Sequence, residues 1–533
     1  MTRGLYLSSS ASSPGLVDLT NPFRANHRLT IQLFLLAAGT VALLFLWQGR
    51  EGFNLWDEGY LWYGAQRVMA GDVPIRDFDA YDPGRYYWSA GLMALWGANG
   101  VIALRGAVAI FQAIGLFIAL TLLDYGPTKP NRPFWVLATV TLVVWMFPRH
   151  KLFDISLSIA LIGVLTLLLQ QPSRSRYFLT GLVVGLVAVF GRNHGVYGVV
   201  GSLCTMAYLA YKREDQIKLL KHLVIFASGV VVGYAPVLLM TAVIPGFAAA
   251  FLDKLRYLFE LGETNLPLPV PWPWLVSFGR VPAMEAARGL LVGLFFISLI
   301  AFGVLGIAWV FWQKAQSKSV SPVLAASAFL TLPYAHFAYS RAEIGHLAQG
   351  IFPFLIGALV LLANQPERIK WPLISLLCGS SLLVMLPLHP GWQCFTSQRC
   401  VEANVAQSKL RIDPGTANDL AILHKLADRF APGNRSFIAA PYWPGAYAEL
   451  GRKSPMWDIY ALQPRREAFQ RAEIDQIRAA NPGFAIILDI PLDGWNELRF
   501  SNTNPLIDQY VRDHFEPLDG YTQDPSYHIY KSK

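Results

Sequence analysis

Apolar runs separated by short polar segments fill most of the first 390 residues of this chain. Runs long enough to cross a bilayer, or nearly so, fall at about 31–48, 101–123, 134–147, 154–170, 178–190, 196–211, 223–244, 289–312, 320–338, 350–363 and 372–388. Eleven such runs predict an α-helical multi-pass membrane protein whose first and other odd-numbered spans run outward, leaving the two termini on opposite sides. The runs at 134–147 and 178–190 are short, roughly 20 Å of helix against a ~30 Å hydrocarbon core, and must tilt, dip or thin the bilayer.

The polar segments divide the chain further. Residues 1–30 are Ser-rich, with Arg24 and Arg28 before the first run and no convincing small-residue cleavage site, so this run reads as an uncleaved span behind a cytosolic N-terminal segment. The membrane module is expected over 31–388, with two external loops at 49–100 and 245–287. In the first, Tyr86 to Trp96 is rich in Trp and Tyr and suits a helix lying along the interface. The second contains Leu266 to Trp274, where alternate prolines exclude regular helix and favour an extended, Trp-anchored loop.

From 389 to 533 the grammar changes to that of a small soluble α/β domain, expected on the external side. Leu420, Leu423, Leu426 and Phe430 have helical spacing, Arg465 to Ala480 is charged and helical, and Phe437 to Ala440 and Phe484 to Leu488 read as buried strands.

Composition supports the bilayer as the main solvent: 54% of the residues are hydrophobic and only 15% charged, against about 25% charged in soluble domains. The net charge of +9 does not point to nucleic acid, because the cations are scattered through inter-helix loops with no basic block. Lys129, Arg132, Arg174, Arg176, Lys212, Arg213, Lys218, Lys221, Lys314, Lys318, Arg368 and Lys370 all fall on the N-terminal side, which makes that side the cytosol. The protein is therefore placed in the plasma (inner) membrane with its C-terminal domain outside. Of four cysteines, Cys204 and Cys378 read as small core residues, while Cys394 and Cys400 flank a polar stretch where an external disulfide is an open expectation.

Sorting the ionisable residues by face brings many of them to the external rim: Asp57 and Glu58; Asp77, Asp79, Asp82 and Arg85; Arg149, His150, Lys151 and Asp154; Arg192 and His194; Lys254 and Arg256; Arg341, Glu343 and His346. Cations in short external turns oppose the positive-inside tendency, so something must offset their cost. Solvated loop charges would explain any single one. A rim of carboxylates and cations repeated over five hairpins suits instead a substrate that carries an anionic phosphate and a group to be deprotonated. The sharpest signal is Asn54-Leu55-Trp56-Asp57-Glu58-Gly59-Tyr60, whose adjacent carboxylates repel, so that one needs a cation, a metal or a proton.

Trp56 to Tyr60, Ala65 to Pro74 and Tyr81 to Trp88 resemble the GT-C superfamily of membrane glycosyltransferases, in the branch of protein O-mannosyltransferases and lipid A aminoarabinose transferases. Asp57 and Glu58 match the acidic pair of its first external loop and Asp154 the acidic residue of its second; Asp82-Pro83-Gly84-Arg85 departs from a Pro-Pro pair common in related sequences. The resemblance implies an undecaprenyl- or dolichyl-phosphate sugar donor, used away from the cytosol on a glycan, lipid or protein acceptor, with inversion. It implies Asp57 as general base, with Glu58 and Asp154 either orienting the acceptor or binding a divalent cation. Arg85, His150, Lys151, Arg192, His194, Lys254, Arg256, Arg341, Glu343 and His346 are the candidates for donor phosphate or substrate contacts. A lipid or glycan transporter or flippase, and a lipid-linked glycan polymerase or ligase, are the alternatives.

Overall fold

The computed structural model describes residues 27–125, 129–211, 216–262, 265–396 and 400–533. Most of the N-terminal segment, with Arg24, and the loop cations Lys212 and Arg213 lie outside the described residues.

Helix covers every expected run: His27–Gln48, Val101–Asp124, Arg132–Trp145, Leu152–Gln170, Arg174–Phe190, Arg192–Ala210, Gln216–Val243, Ala283–Ala315, Pro322–Ser340, the pair Ile344–Gly350 and Phe352–Ala363, and Glu367–Met385. Among the described residues six helices are long and apolar enough to cross a membrane, and a seventh span results if the pair bent by 59° counts as one. The others are shorter or less apolar, and they are held by neighbouring helices. Leu152–Gln170 is the most enclosed and packs on Val101–Asp124, Arg174–Phe190 and Pro322–Ser340, so the bundle is built around it.

The tightest helix contact joins Arg174–Phe190 to Gln216–Val243. Gly181 and Gly185 face Gly229 and Gly233, and a Cβ on any of the four would run into the backbone of the other helix. In lipid such small residues four apart allow backbones to touch and to gain dispersion contacts that long side chains would block.

Two helices of the first external loop follow the first span. Asp57–Met69 is enclosed, with Tyr60, Leu61, Trp62, Tyr63 and Ala65 all buried. Gly84–Leu95 coincides with the aromatic stretch expected at the interface. The Pro-rich loop forms no α-helix, as its composition requires, and ends in the 3-10 turn Pro273–Leu275. Trp272 and Trp274 stack at 5.1 Å, and the backbone of Pro271 and Pro273 lies close enough to Gly293 to exclude any side chain there.

Residues 400–533 form the α/β unit. The hairpin Val401–Val405 with Ser408–Ile412 precedes a four-stranded sheet ordered Ile438–Ala440, Phe484–Leu488, Tyr527–Ser532, Phe515–Pro517. The first pair is parallel and the others antiparallel. Both strands expected from sequence are present and fully buried. Helices Pro414–Phe430 and Glu467–Ala480 carry the anticipated apolar stripe and charged surface. Asp489, past its strand, accepts hydrogen bonds from Ser501 and so pins a loop. Cys394 and Cys400 are joined in a disulfide at the junction with the last membrane helix.

This unit is seated on the first loop by a glycine pair. The amide of Gly445, in helix Pro444–Leu450, donates to the carbonyl of Leu55 at 2.8 Å, and a Cβ on Gly59 would come within 2.5 Å of the Gly445 Cα. Gly59→Val is expected to force the two apart and to lower thermal stability in detergent by about 1–3 kcal/mol, measured as a lower unfolding midpoint.

Candidate active site

A cavity of about 1690 Å³ opens between the external ends of the membrane helices, the first loop, helix Phe247–Leu261 and the α/β unit. Of the thirteen site residues expected from sequence, all but Glu58 line it.

The acidic pair splits because consecutive residues at the start of Asp57–Met69 point about 100° apart. Glu58 turns into the protein. Arg105 binds both its oxygens at 2.7 Å, Arg149 lies 3.7 Å away, and its amide is capped by the Asn54 side chain. Burial alone would raise this carboxyl, but Arg105 first and Arg149 next outweigh it and bring it from 4.5 down to about 2. Both Glu58 oxygens are thus engaged by Arg105, and the side chain does not line the cavity that Asp57 faces. Arg105 also donates to the carbonyls of Gly49 and Gly52, and Arg149 to those of Gln48 and Glu51. The two guanidinium groups satisfy the backbone where the first span ends.

Asp57 faces the cavity, with about a third of its side chain exposed. Tyr460, from the α/β unit, donates its hydroxyl to Oδ1 at 2.9 Å, and His150 Nε2 lies 3.6 Å from Oδ2. Burial pushes its pKa up, but His150, Lys151 and the Tyr460 hydroxyl together hold it below 3.8. The carboxylate is ionised at neutral pH with one oxygen fixed and the other open.

Asp154 sits deeper. Arg85 binds it at 2.8 Å and His194 Nε2 at 2.9 Å, while His194 Nδ1 reaches the Tyr334 hydroxyl and Arg85 also donates to the Phe190 carbonyl. The group forms a buried, mutually satisfied wall. Asp57, Glu58 and Asp154 do not converge: among the described residues no three His, Cys, Asp or Glu side chains are grouped to hold a metal ion. The three carboxylates therefore do not fit the divalent cation allowed for them.

The remaining cations differ in what they have left to give. Arg192 pairs with Asp82 at 2.5 Å, and Lys254 with Asp79 at 2.6 Å. Arg341 is held in a bidentate pair by Asp493 of the α/β unit at 2.7 and 3.0 Å, and Glu343 pairs with His346 at 2.9 Å. Arg256 projects outward, 73% exposed beside Asp253 of its own helix, and stands at the rim rather than in the site. Among the described residues Lys151 forms no carboxylate ion pair; its Nζ touches only the hydroxyl and ring of Tyr81.

Sequence reasoning missed Arg105, Tyr81, Tyr460 and Asp493. Arg105 had a usable signal, an ionised side chain inside an apolar run, which is costly unless paired. Tyr460 and Asp493 had none, since their contacts cross 403 and 152 positions of chain.

This arrangement of helices, loop helices and α/β unit is a fold found in solved structures. The solved structure of ArnT from Cupriavidus metallidurans bound to undecaprenyl phosphate is similar with a TM-score of 0.57 and 13% identity, over 94% of this chain and 97% of that one. Its apo form gives 0.55 and 13% over 95% and 98%. No protein-family model and no curated protein sequence matches the chain.

Glu58→Gln leaves Arg105 buried without its counter-charge and is expected to destabilise the protein by about 3–5 kcal/mol at pH 7. Because folding lowers the pKa of Glu58 from 4.5 to about 2, its contribution is complete above pH 4.5 and fades as pH falls toward 2. Unfolding midpoints of wild type and variant, measured from pH 7 to 3, should draw closer together below pH 4.5.

Proposed function

We propose that the chain is a GT-C glycosyltransferase that moves a sugar from a polyprenyl-phosphate donor to a glycan, lipid or protein acceptor, with inversion at the anomeric carbon. The observation that carries this reading is a half-open, ionised carboxylate, Asp57, facing the same cavity as Lys151, a half-buried cation that among the described residues forms no carboxylate ion pair. The full-length likeness of fold to a protein solved with undecaprenyl phosphate supports the class of donor.

In this reading an acceptor hydroxyl gives its proton to Asp57 as its oxygen attacks the anomeric carbon. The bond from that carbon to the phosphate oxygen breaks, and the polyprenyl phosphate departs as an anion. Lys151 is the foremost candidate for the departing charge. Arg192 and His346 are further candidates, Arg192 because its Nη1 has no hydrogen-bond partner among the described residues. Asp154, occupied by Arg85 and His194, acts as a wall that keeps those cations in place. Glu58 anchors the helix that presents Asp57. The domain division follows from the same reading: a segment at 1–30, a membrane module at 31–388 and an external unit at 389–533. The disulfide suits a site on the periplasmic or extracellular side, where thiols are oxidised.

The test is turnover by purified protein of a panel of radiolabelled polyprenyl-phosphate hexoses, pentoses and amino sugars with cell-envelope acceptors. Asp57→Asn is expected to lower transfer by at least about 10²-fold with folding intact. Lys151→Met is expected to raise the donor KM or lower kcat by about 10- to 100-fold. Movement of intact donor lipid across proteoliposomes without bond cleavage would favour a transporter, and products with repeated units a polymerase.

A further inference from the structure

We propose that Tyr460 of the external unit is a positioning residue for Asp57, fixing one carboxylate oxygen so that the other faces the acceptor; this rests on the reading of Asp57 as general base. The phenol is half-buried and its pKa is pushed well above 10 by desolvation and by Asp57, so it is a hydrogen-bond donor at every working pH, and Asp57 Oδ1 is the acceptor at 2.9 Å. Its placement is built from several sides. The Tyr60 ring lies 5.1 Å away, and Tyr60 is itself tied by its hydroxyl to Asp79. Glu473 accepts the amides of Trp457 and Asp458, Asp458 accepts from Arg465 at 2.6 Å, and the Ala461 amide donates to the Pro441 carbonyl. The Asp79 amide donates to the Trp457 carbonyl, and the Trp457 indole to that of Ile75. The segment carrying Tyr460 is thus stitched to the α/β unit on one side and to the first loop on the other, and its hydroxyl projects to a single group.

A carboxylate with two equivalent free oxygens can rotate about its last bond, and a base that is misplaced by about 1 Å can lose 10²-fold in rate. Tyr460 removes that freedom on one oxygen. His150 and Lys151, on the turn after the third membrane helix, and His346, on the short helix Ile344–Gly350, are the other titratable groups facing Asp57. Glu58, next to it, is spent on Arg105 and Arg149. None of these is hydrogen-bonded to Oδ1, so Tyr460 is the group whose removal frees it.

Removing a hydrogen bond that favours the ionised form raises the pKa of the base, and activity then fails at a higher pH as acid is added. Tyr460→Phe is expected to lower kcat by roughly 10- to 100-fold with the donor KM unchanged, and to move the acidic limb of the kcat profile up by about one pH unit or more. The assay uses the full-length protein and whichever polyprenyl-phosphate sugar of the panel turns over fastest. Infrared difference spectra of wild type against Asp57→Asn, titrated with acid, follow the same carboxyl without turnover and should show the same upward shift in Tyr460→Phe. Should that variant fold poorly, 3-fluorotyrosine at 460 keeps the shape, donates a stronger hydrogen bond and is expected to move the limb down. A Tyr460→Phe protein with wild-type kcat and limb, beside an inactive Asp57→Asn, would overturn the positioning role alone. An Asp57→Asn enzyme with full activity would instead overturn the assignment of the base, whatever Tyr460→Phe does.

Discussion

The pair between Arg105 and Glu58 is the contact on which the external half of the molecule depends. It joins the second membrane helix to the first loop, and the same guanidinium closes the carbonyls of Gly49 and Gly52, where the first helix has run out of intrahelical partners. A polar backbone at the edge of the hydrocarbon layer has to be satisfied within the protein. Arg105 and Arg149 do this with a single buried carboxylate as counter-charge. Helix Asp57–Met69 is thereby anchored at its first turn, and the direction of Asp57 follows from that of its neighbour.

The same logic accounts for the cations gathered at this end of the membrane helices. Arg149 is matched by Glu58, Arg192 by Asp82, Lys254 by Asp79 and Arg341 by Asp493. These cations are compensated within the protein, whereas Lys151, among the described residues, forms no carboxylate ion pair and is lodged against Tyr81.

Much of the architecture was legible from the chain because bilayer and sheet impose long, regular patterns. Each apolar run is a helix, both expected strands exist, and the aromatic and Pro-rich segments take the forms their composition requires. The helix limits were less legible: the run at 178–190 begins four residues earlier as helix, since Arg174 to Tyr177 can be carried at an interface. The glycines at 181, 185, 229 and 233 were visible in sequence, yet only their meeting across two helices gives them meaning. In the site, the acidic pair was legible as a signal but not as a division of labour, because adjacency in sequence says nothing about which way a helix start will face. Arg105 was legible in principle. The partners supplied by the α/β unit were not, since no local pattern marks a tyrosine for a carboxylate some four hundred positions away.

That separation bears on how the molecule is made. Ribosomes add about 5–20 residues per second, so the 403 positions between Asp57 and Tyr460 correspond to roughly 20–80 s of synthesis. Throughout that interval the first loop has already been made, its carboxylate lacks the phenol and the glycine seat at Gly59 is bare. The nascent chain can therefore insert, pair its arginines and pack its helices among lipids while the reaction centre stays unfinished. Completion arrives with the closing stretch of translation, when the tail folds down onto a surface that has been waiting for it.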